Sequence, residues 1–217
     1  MYEEVKRYNN IDYLYVTADT PDEIKDNVPN VRADLPSELS FESVMSEKGF
    51  YFGDRTVGVS INLSRCNIDA DKLIRFEIID GTQYKERICE IAVKAFESDR
   101  RFHIKPDKDD VLAEVILREW IDKLNHVYVC RYKDEILGFI DIEDIDDKTS
   151  DIHLAAIDKT TKLPGVAMSL YAFAVKYAKE NGNKHLTGRI SSRNMAVMNI
   201  YSGLGAVFSD PRDIYVK

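Results

Sequence analysis

The strongest constraint on the fold is the run of three strand-like segments in the middle of the chain, set between pairs of helices. Val127 to Arg131 and Ile136 to Ile142 flank the turn Lys133-Asp134-Glu135 and read as a hairpin, and Asp151 to Ile157 follows as a third strand. Before them come two amphipathic helical stretches. Tyr84 to Phe96 carries Ile88, Ile91, Ala92 and Ala95, and Asp107 to Leu124 carries Val111, Val115, Ile116 and Trp120. After them, Gly165 to Lys179 reads as a long helix ended by Asn181-Gly182. His185 to Ile190 is a strand, Asn194 to Leu204 a helix stopped by Gly205, and Val207 to Val216 a closing strand. With Leu73 to Ile79 as a first strand, the order is β-α-α-β-β-β-α-β-α-β. Successive strands without helices between them exclude a doubly wound parallel sheet and predict an α/β (α+β) fold with a mixed central sheet flanked by helices.

The residues before this unit read as a small, partial α/β domain over 1–69, with the main domain over 70–217. Leu14-Tyr15-Val16 is a short β-rich run. Ser37 to Lys48 reads as a helix with Ser37 or Ser40 as cap, and Val57 to Leu63 alternates like a strand. The polar stretch Asn67 to Lys72 is the candidate linker. A faint repeat joins the two parts: Gly49-Phe-Tyr-Phe-Gly-Asp54 and Gly205-Ala-Val-Phe-Ser-Asp210 both read G-x-x-F-x-D between a helix and a strand. Four residues before the glycine, the second copy has Tyr201 and the first Met45.

Composition removes several functions. A net charge of -8 with no basic cluster argues against nucleic acid and is compatible with a cationic substrate such as an amine. Cys66, Cys89 and Cys130 are odd in number and form no CxxC pair, which fits a reducing cytoplasm and neither a metal cluster nor a disulfide framework. The start MYEEVKRYNN has no apolar core of a leader, and no apolar run is long enough to span a bilayer, so no membrane role is expected. HExxH, GxSxG and GKS/GKT are absent.

Two constellations carry chemistry. Asp158-Lys-Thr-Thr-Lys162-Leu163-Pro-Gly165-Val166-Ala167 lies between a strand and a long helix, whose first N–H groups form an anion site; as an ordinary βα loop it would need no further explanation. Asn194-x6-Tyr201-x3-Gly205 places two polar side chains two helical turns apart on one face; each alone is a commonplace cap, core tyrosine and stop. His153 and the acidic stretch from Asp141 to Asp151 read first as a sheet histidine and a solvated hairpin.

Taken together, Lys162-x-x-Gly165-x-Ala167 resembles the Q/R-x-x-G-x-G/A element of the GNAT acetyltransferase superfamily. Asn194…Tyr201…Leu204-Gly205 resembles its N-x6-Y-x2-L-G element. Leu73 to Lys217 resembles the superfamily's element order, and Ser98 to Phe102, Arg118 to Asp122 and Tyr201 to Ala206 resemble TDP-fucosamine acetyltransferase-like members, which carry a partial N-terminal domain. The resemblance implies acetyl-CoA as co-substrate, no metal, and transfer of acetyl to a primary amine of a small molecule by direct attack. An amino-sugar nucleotide is one such acceptor; a peptide or polyamine, or a non-catalytic CoA-binding module, is the alternative. It implies pyrophosphate on the backbone N–H groups from Lys162 through Leu163, Gly165 and Val166 to Ala167. Asn194 would lie beside the cofactor, an N–H near Ile157 would meet the oxyanion, and Tyr201 would be the general acid. His153, Asp151 or a water chain would take the ammonium proton, and residues 1–69 would shape the acceptor cleft without a catalytic group. Self-association as a homodimer is left open. Lysine at 162 and proline at 164 depart from the pattern: the planar fork and one N–H are lost.

Overall fold

The computed structural model describes residues 1–25 and 27–217, and among these ten strands form one mixed sheet in the order β1-β2-β3-β10-β4-β9-β8-β7-β6-β5. The strands are β1 Tyr2–Tyr8, β2 Ile11–Thr17, β3 Val31–Pro36, β4 Tyr51–Asn62, β5 Glu77–Asp80, β6 Val127–Tyr132, β7 Glu135–Asp146, β8 Thr149–Ile157, β9 His185–Ser191 and β10 Val207–Val216. The helices are α1 Leu39–Glu47, α2 Ala70–Leu73, α3 Lys85–Ala95, α4 Asp110–Asp122, α5 Val166–Glu180 and α6 Met195–Gly203. The pairs β2·β3 and β8·β9 are parallel and the others antiparallel, so the mixed sheet expected from the sequence is present.

Helices cover both faces. Ile88, Ile91 and Ala92 of α3 and Ile116, Leu117 and Ile121 of α4 share a core with Val127, Val129, Phe139 and Leu154. Leu170, Ala174 and Val175 of α5 and Tyr201 of α6 pack on Ile61, Ile140, Ile152 and Leu186. Met45 of α1 closes a third cluster over Val16, Ala33 and Leu35.

The repeat extends well beyond the short motif. Exchanging β1 with β7, β2 with β8, β3 with β9 and β4 with β10 leaves every pairing sense unchanged, and α1 then coincides with α6. The helix ends match bond for bond. Phe50 N–H donates to Met45 O and Gly49 N–H to Ser46 O, as Ala206 N–H donates to Tyr201 O and Gly205 N–H to Ser202 O. Both glycines are left-handed, at φ 80 and 79°, which is why each copy keeps one there. The copies differ where β2 and β3 are joined: the second has the fifteen-residue α5, the first, among its described residues, the 3-10 turn Pro21–Glu23.

Several local readings are corrected. Neither Ser37 nor Ser40 caps α1; the cap position is Glu38, whose side chain makes no capping bond. The stretch read as a linker holds α2, capped by Asp69 and fastened to α5, where Ser169 Oγ accepts from Arg75 N–H and donates to Leu73 O. That docking delays β5 to Glu77. The strands β1 and β3 were not foreseen. β1 pairs with β2 through a two-residue turn, Asn9-Asn10, with both residues at positive φ, as a tight hairpin requires.

Candidate active site

The site begins with a defect in pairing. β8 pairs with β9 from Thr149↔His185 to Ile152↔Gly188 and then leaves it. At that point β7 steps from Asp141↔Leu154 to Ile142↔Ile152, so His153 has no partner. One unmatched residue bends a strand and increases its twist. The bulge therefore turns the end of β8 away from β9 and opens a fork in the sheet. Beyond it the Asp158 N–H is bonded back to Leu137 O at 2.8 Å. By the alternation of an extended strand, the N–H groups of Ile157 and Ala155 turn the other way, into the fork.

Two helices frame the opening. α5 starts after Gly165, whose φ of 89° reverses the chain, so the unpaired N–H groups of its first turn face outward. α6 starts at Asn194, whose side chain accepts the Val197 N–H at 3.2 Å. Between them lies a cleft of about 480 Å³, lined by Ala155, Ile157, Ala167, Tyr171, Asn194 and Val197 among others. Of the expected cofactor residues, then, Ile157, Ala167 and Asn194 border it. Lys162 and Leu163 do not: they border a separate hollow with Arg87 and Asp158. Arg87 is ion-paired with Asp158 at the floor of that hollow, and Thr160 N–H donates to Asp158, so the loop is tied back toward α3. The Val166 side chain is buried in the core beneath α5, leaving its backbone as the group available to a ligand.

Tyr201 reaches the fork from α6. It is buried, and its ring meets that of Tyr171 edge-on at 5.1 Å between centroids. A Cβ added to Gly188 would lie 2.8 Å from the Tyr201 hydroxyl and 3.4 Å from Ile152 O. The hydroxyl thus occupies the space that a side chain at the last paired position would take. Burial, with Tyr171 and Asp151 nearby, holds the Tyr201 phenol well above the usual tyrosine value, so it keeps its proton. Burial raises Tyr171 in the same way.

Arg101 forms the wall behind the two phenols. Its guanidinium grips Asp99 (Nη2···Oδ2 2.8 Å) and lies over the Phe96 and Phe102 rings at 5.2 and 5.4 Å. Burial opposes the charge on Asp99, but Arg101 outweighs it and the carboxyl titrates below its ordinary value. Burial likewise opposes the Arg101 charge, and Asp99 holds its pKa up. Ser98 and Asp99 face the cleft, whereas Arg101 faces a second hollow of about 310 Å³ on the far side. Tyr15, Arg32, Asp151, His153 and Arg189 border this second hollow too. Asp151 is held there by the Thr187 hydroxyl at 2.6 Å. The His153 ring is exposed on its bulge and lies 5.0 Å from the Trp120 ring.

The acidic stretch resolves into separate parts. Asp144 accepts from Ser150 Oγ and Asn183 Nδ2 and pins the hairpin end. Asp141 is buried with one oxygen unpartnered; burial raises its pKa against the pull of His153 and His126. Among the described residues no cluster of histidine, cysteine and carboxylate side chains has the form of a metal site, and no helix is long and apolar enough to cross a membrane.

A forked mixed sheet with a helix N-terminus at one lip and a protonated tyrosine in the crotch is the architecture of an acetyl-CoA-dependent acetyltransferase. The model of the acetyltransferase (GNAT) family matches residues 86–206, and this chain belongs to that family. Its fold is shared by a GNAT-family acetyltransferase from Colwellia psychrerythraea (15% identity, TM-score 0.57, 87% of this chain and 66% of that one). A tandem GNAT protein from the clavulanic acid biosynthesis pathway is also similar (10%, TM-score 0.55, 85% and 62%). So is a fungal multi-domain β-N-acetylglucosaminidase with a glucosamine N-acetyltransferase region (11%, TM-score 0.57, 98% and 31%). The chain thus spans less than two thirds of each of these proteins. By sequence alone, no curated protein matches.

Proposed function

We propose that this protein transfers the acetyl group of acetyl-CoA to a primary amine of a small molecule, in a ternary complex and without a covalent enzyme intermediate. The observation that carries this is the Tyr201 hydroxyl in the fork: buried and protonated at neutral pH, it fits a general acid for a departing thiolate. The first-turn N–H groups of α5, at Val166 and Ala167, receive the pyrophosphate, aided by the helix dipole. Bound acetyl-CoA supplies an activated thioester carbonyl. The Ile157 and Ala155 N–H groups stabilise charge developing on its oxygen. The acceptor enters from the side of Asp151. Its ammonium loses one proton to the Asp151 carboxylate or, through solvent, to His153; the nitrogen then adds to the thioester carbonyl, the C–S bond breaks as Tyr201 gives its proton to sulfur, and the second nitrogen proton passes through solvent to the Tyr201 oxygen, leaving the amide and the CoA thiol.

Residues 70–217 act as the catalytic domain and residues 1–69 as a partial copy that completes the acceptor side. The exchange symmetry of the sheet supports this division. An amino-sugar nucleotide is the acceptor we favour, as in TDP-fucosamine acetyltransferase-like proteins, because charged and hydroxyl-bearing side chains such as Arg32, Asp151 and Tyr15 border the second hollow. Cys66, Cys89 and Cys130 are buried free thiols, which supports a cytoplasmic setting.

The test is CoA release from acetyl-CoA with a panel of amino-sugar nucleotides, amino acids and polyamines. Release with a sugar nucleotide supports the full reading. Release only with polyamines or peptides overturns the acceptor assignment, and acetyl-CoA binding without release from any amine points to a non-catalytic module.

A further inference from the structure

The second hollow holds two charged groups that make no contact ion pair with the protein. Most of its ionic residues are already engaged: Arg101 with Asp99, Arg189 with Asp210, Lys6 with Glu4, and Asp34 with Arg212. Among the described residues Arg32 and Asp151 form no ion pair, though Asp151 accepts the Thr187 hydroxyl. Arg32 Nε is buried with no hydrogen-bond partner, and the neighbouring Tyr15 hydroxyl is buried beside that of Tyr8. The Arg32 guanidinium lies over the Tyr15 ring at 5.6 Å, which orients it without neutralising it. Arg32 itself is half-buried, and a buried guanidinium nitrogen without a hydrogen-bond partner is costly to a folded protein unless a ligand satisfies it.

The two groups occupy corresponding places in the repeat. Tyr15 pairs with Arg32 across β2·β3, as Asp151 pairs with Thr187 across β8·β9. They are four strands apart along the sheet, β3-β10-β4-β9-β8. At about 4.8 Å per strand that is roughly 19 Å between backbones along an unbent sheet, and side-chain reach and sheet twist shorten it.

We infer that the acceptor carries, several bonds away from its amine, an anionic group, carboxylate or phosphate, that is received by Arg32 and the Tyr15 hydroxyl while Asp151 receives the amine end. This rests on the acetyltransferase reading for the amine end alone; the anion subsite stands on Arg32 and Tyr15. A compact amine or a polycation leaves Arg32 unsatisfied or repels it. The N-terminal copy, which among its described residues has a short 3-10 turn in the place of α5, keeps the strand pair and uses it for specificity.

The probes are ω-aminoalkanoic acids and ω-aminoalkyl phosphates of increasing chain length, each compared with the amino alcohol of the same length. Two readouts are taken: calorimetric affinity in the presence of CoA, and kcat/KM for acetyl transfer. At the best length, the anionic member is preferred by about 10- to 100-fold, the size of one charge-assisted hydrogen bond. Arg32→Gln and Tyr15→Phe reduce that preference and leave the amino alcohols within about twofold. The two anion series distinguish carboxylate from phosphate. Because Arg32 makes no contact ion pair and its nearby carboxylates, Asp34 and Asp99, are already held by Arg212 and Arg101, free Arg32→Gln melts no lower than wild type; a lower Tm would mark a structural arginine and count against the proposal. Equal use of charged and neutral members, or a preference unchanged in Arg32→Gln, overturns it. Acetyl transfer to amino alcohols without any anion preference defeats this inference and leaves the proposed function standing. Arg32-dependent anion binding without acetyl transfer does the reverse.

Discussion

Replacing Gly188 by alanine tests the placement of Tyr201 with a single methyl group. The added Cβ would lie 2.8 Å from the Tyr201 hydroxyl oxygen and 3.7 Å from the ring carbon that bears it. The second distance is an ordinary contact, while the first requires the hydroxyl to retreat by about half an ångström to reach a normal carbon–oxygen separation. Strand β9 is fixed on both sides, by β4 and β8, so the tyrosine must give way. Overpacking of this kind costs about 1–3 kcal/mol. A catalytic group misplaced by up to an ångström can lose as much as ~10²-fold in rate. Gly188→Ala is therefore expected to lower kcat by about ten- to a hundredfold, with acetyl-CoA affinity nearly unchanged, and to lower Tm. In a Tyr201→Phe background the offending oxygen is gone, so the same substitution should cost little further stability. A double-mutant cycle by chemical denaturation measures this coupling. Full activity in Gly188→Ala together with additive stabilities would refute the argument, because the hydroxyl would then not be in the crotch.

Three further outcomes follow from the same geometry. Gly165→Val forces a β-branched residue to a φ of 89°, so α5 should start out of place and calorimetric acetyl-CoA affinity should fall about tenfold or more while the far-UV spectrum persists. The carboxyl of Asp99 is held below its ordinary value, so the unfolded chain binds that proton first as pH falls. The stability it contributes is complete above the unfolded value of about 4 and disappears on acidification through the lower folded value; Asp99→Asn should flatten the acid limb of a Tm-against-pH curve. Tyr201 is raised well above the usual value, so it stays the proton donor across the working range. The kcat/KM profile should then show no descending limb from it below pH 10.

What the sequence conveyed depended on whether the relevant signal was periodic. Helices α3, α4 and α5 and the hairpin β6–β7 carry regular apolar spacings and lie within a few residues of their expected bounds. Asn194 and Tyr201 were legible as a spaced pair, and the structure puts one at the mouth of the cleft and the other in the fork. The splaying of Asp151–Ile157 from His185–Ile190 follows from the family resemblance, but the residue at which the fork opens was not legible. It depends on one unmatched residue, His153, and a single bulge leaves no trace in an alternating strand. The need for glycine at 188 is a contact with a residue thirteen positions away and invisible locally. Lys162 stood in a motif position, yet its loop is drawn toward Arg87 by Asp158, a partner 71 residues distant in the chain. Tyr15 lies in a short β-rich run and Arg32 in a strand with no sequence signal, and neither residue stood out as part of a site. Only the closing of β10 between β3 and β4 brings them to the hollow bordered by Asp151. The repeat offered a clue to this in Met45 and Tyr201, which end their helices with the same two backbone bonds.

The most direct test of the account is a single-turnover measurement of acetyl transfer by Tyr201→Phe, alongside its acetyl-CoA affinity. The ring stays packed against Tyr171, and only the proton donor is removed. A positioned general acid contributes typically ~10²–10⁴ in rate. The account predicts a loss of that size in the transfer step with affinity retained. Transfer as fast as wild type in the single-turnover phase would contradict it, since slow product release cannot mask chemistry there.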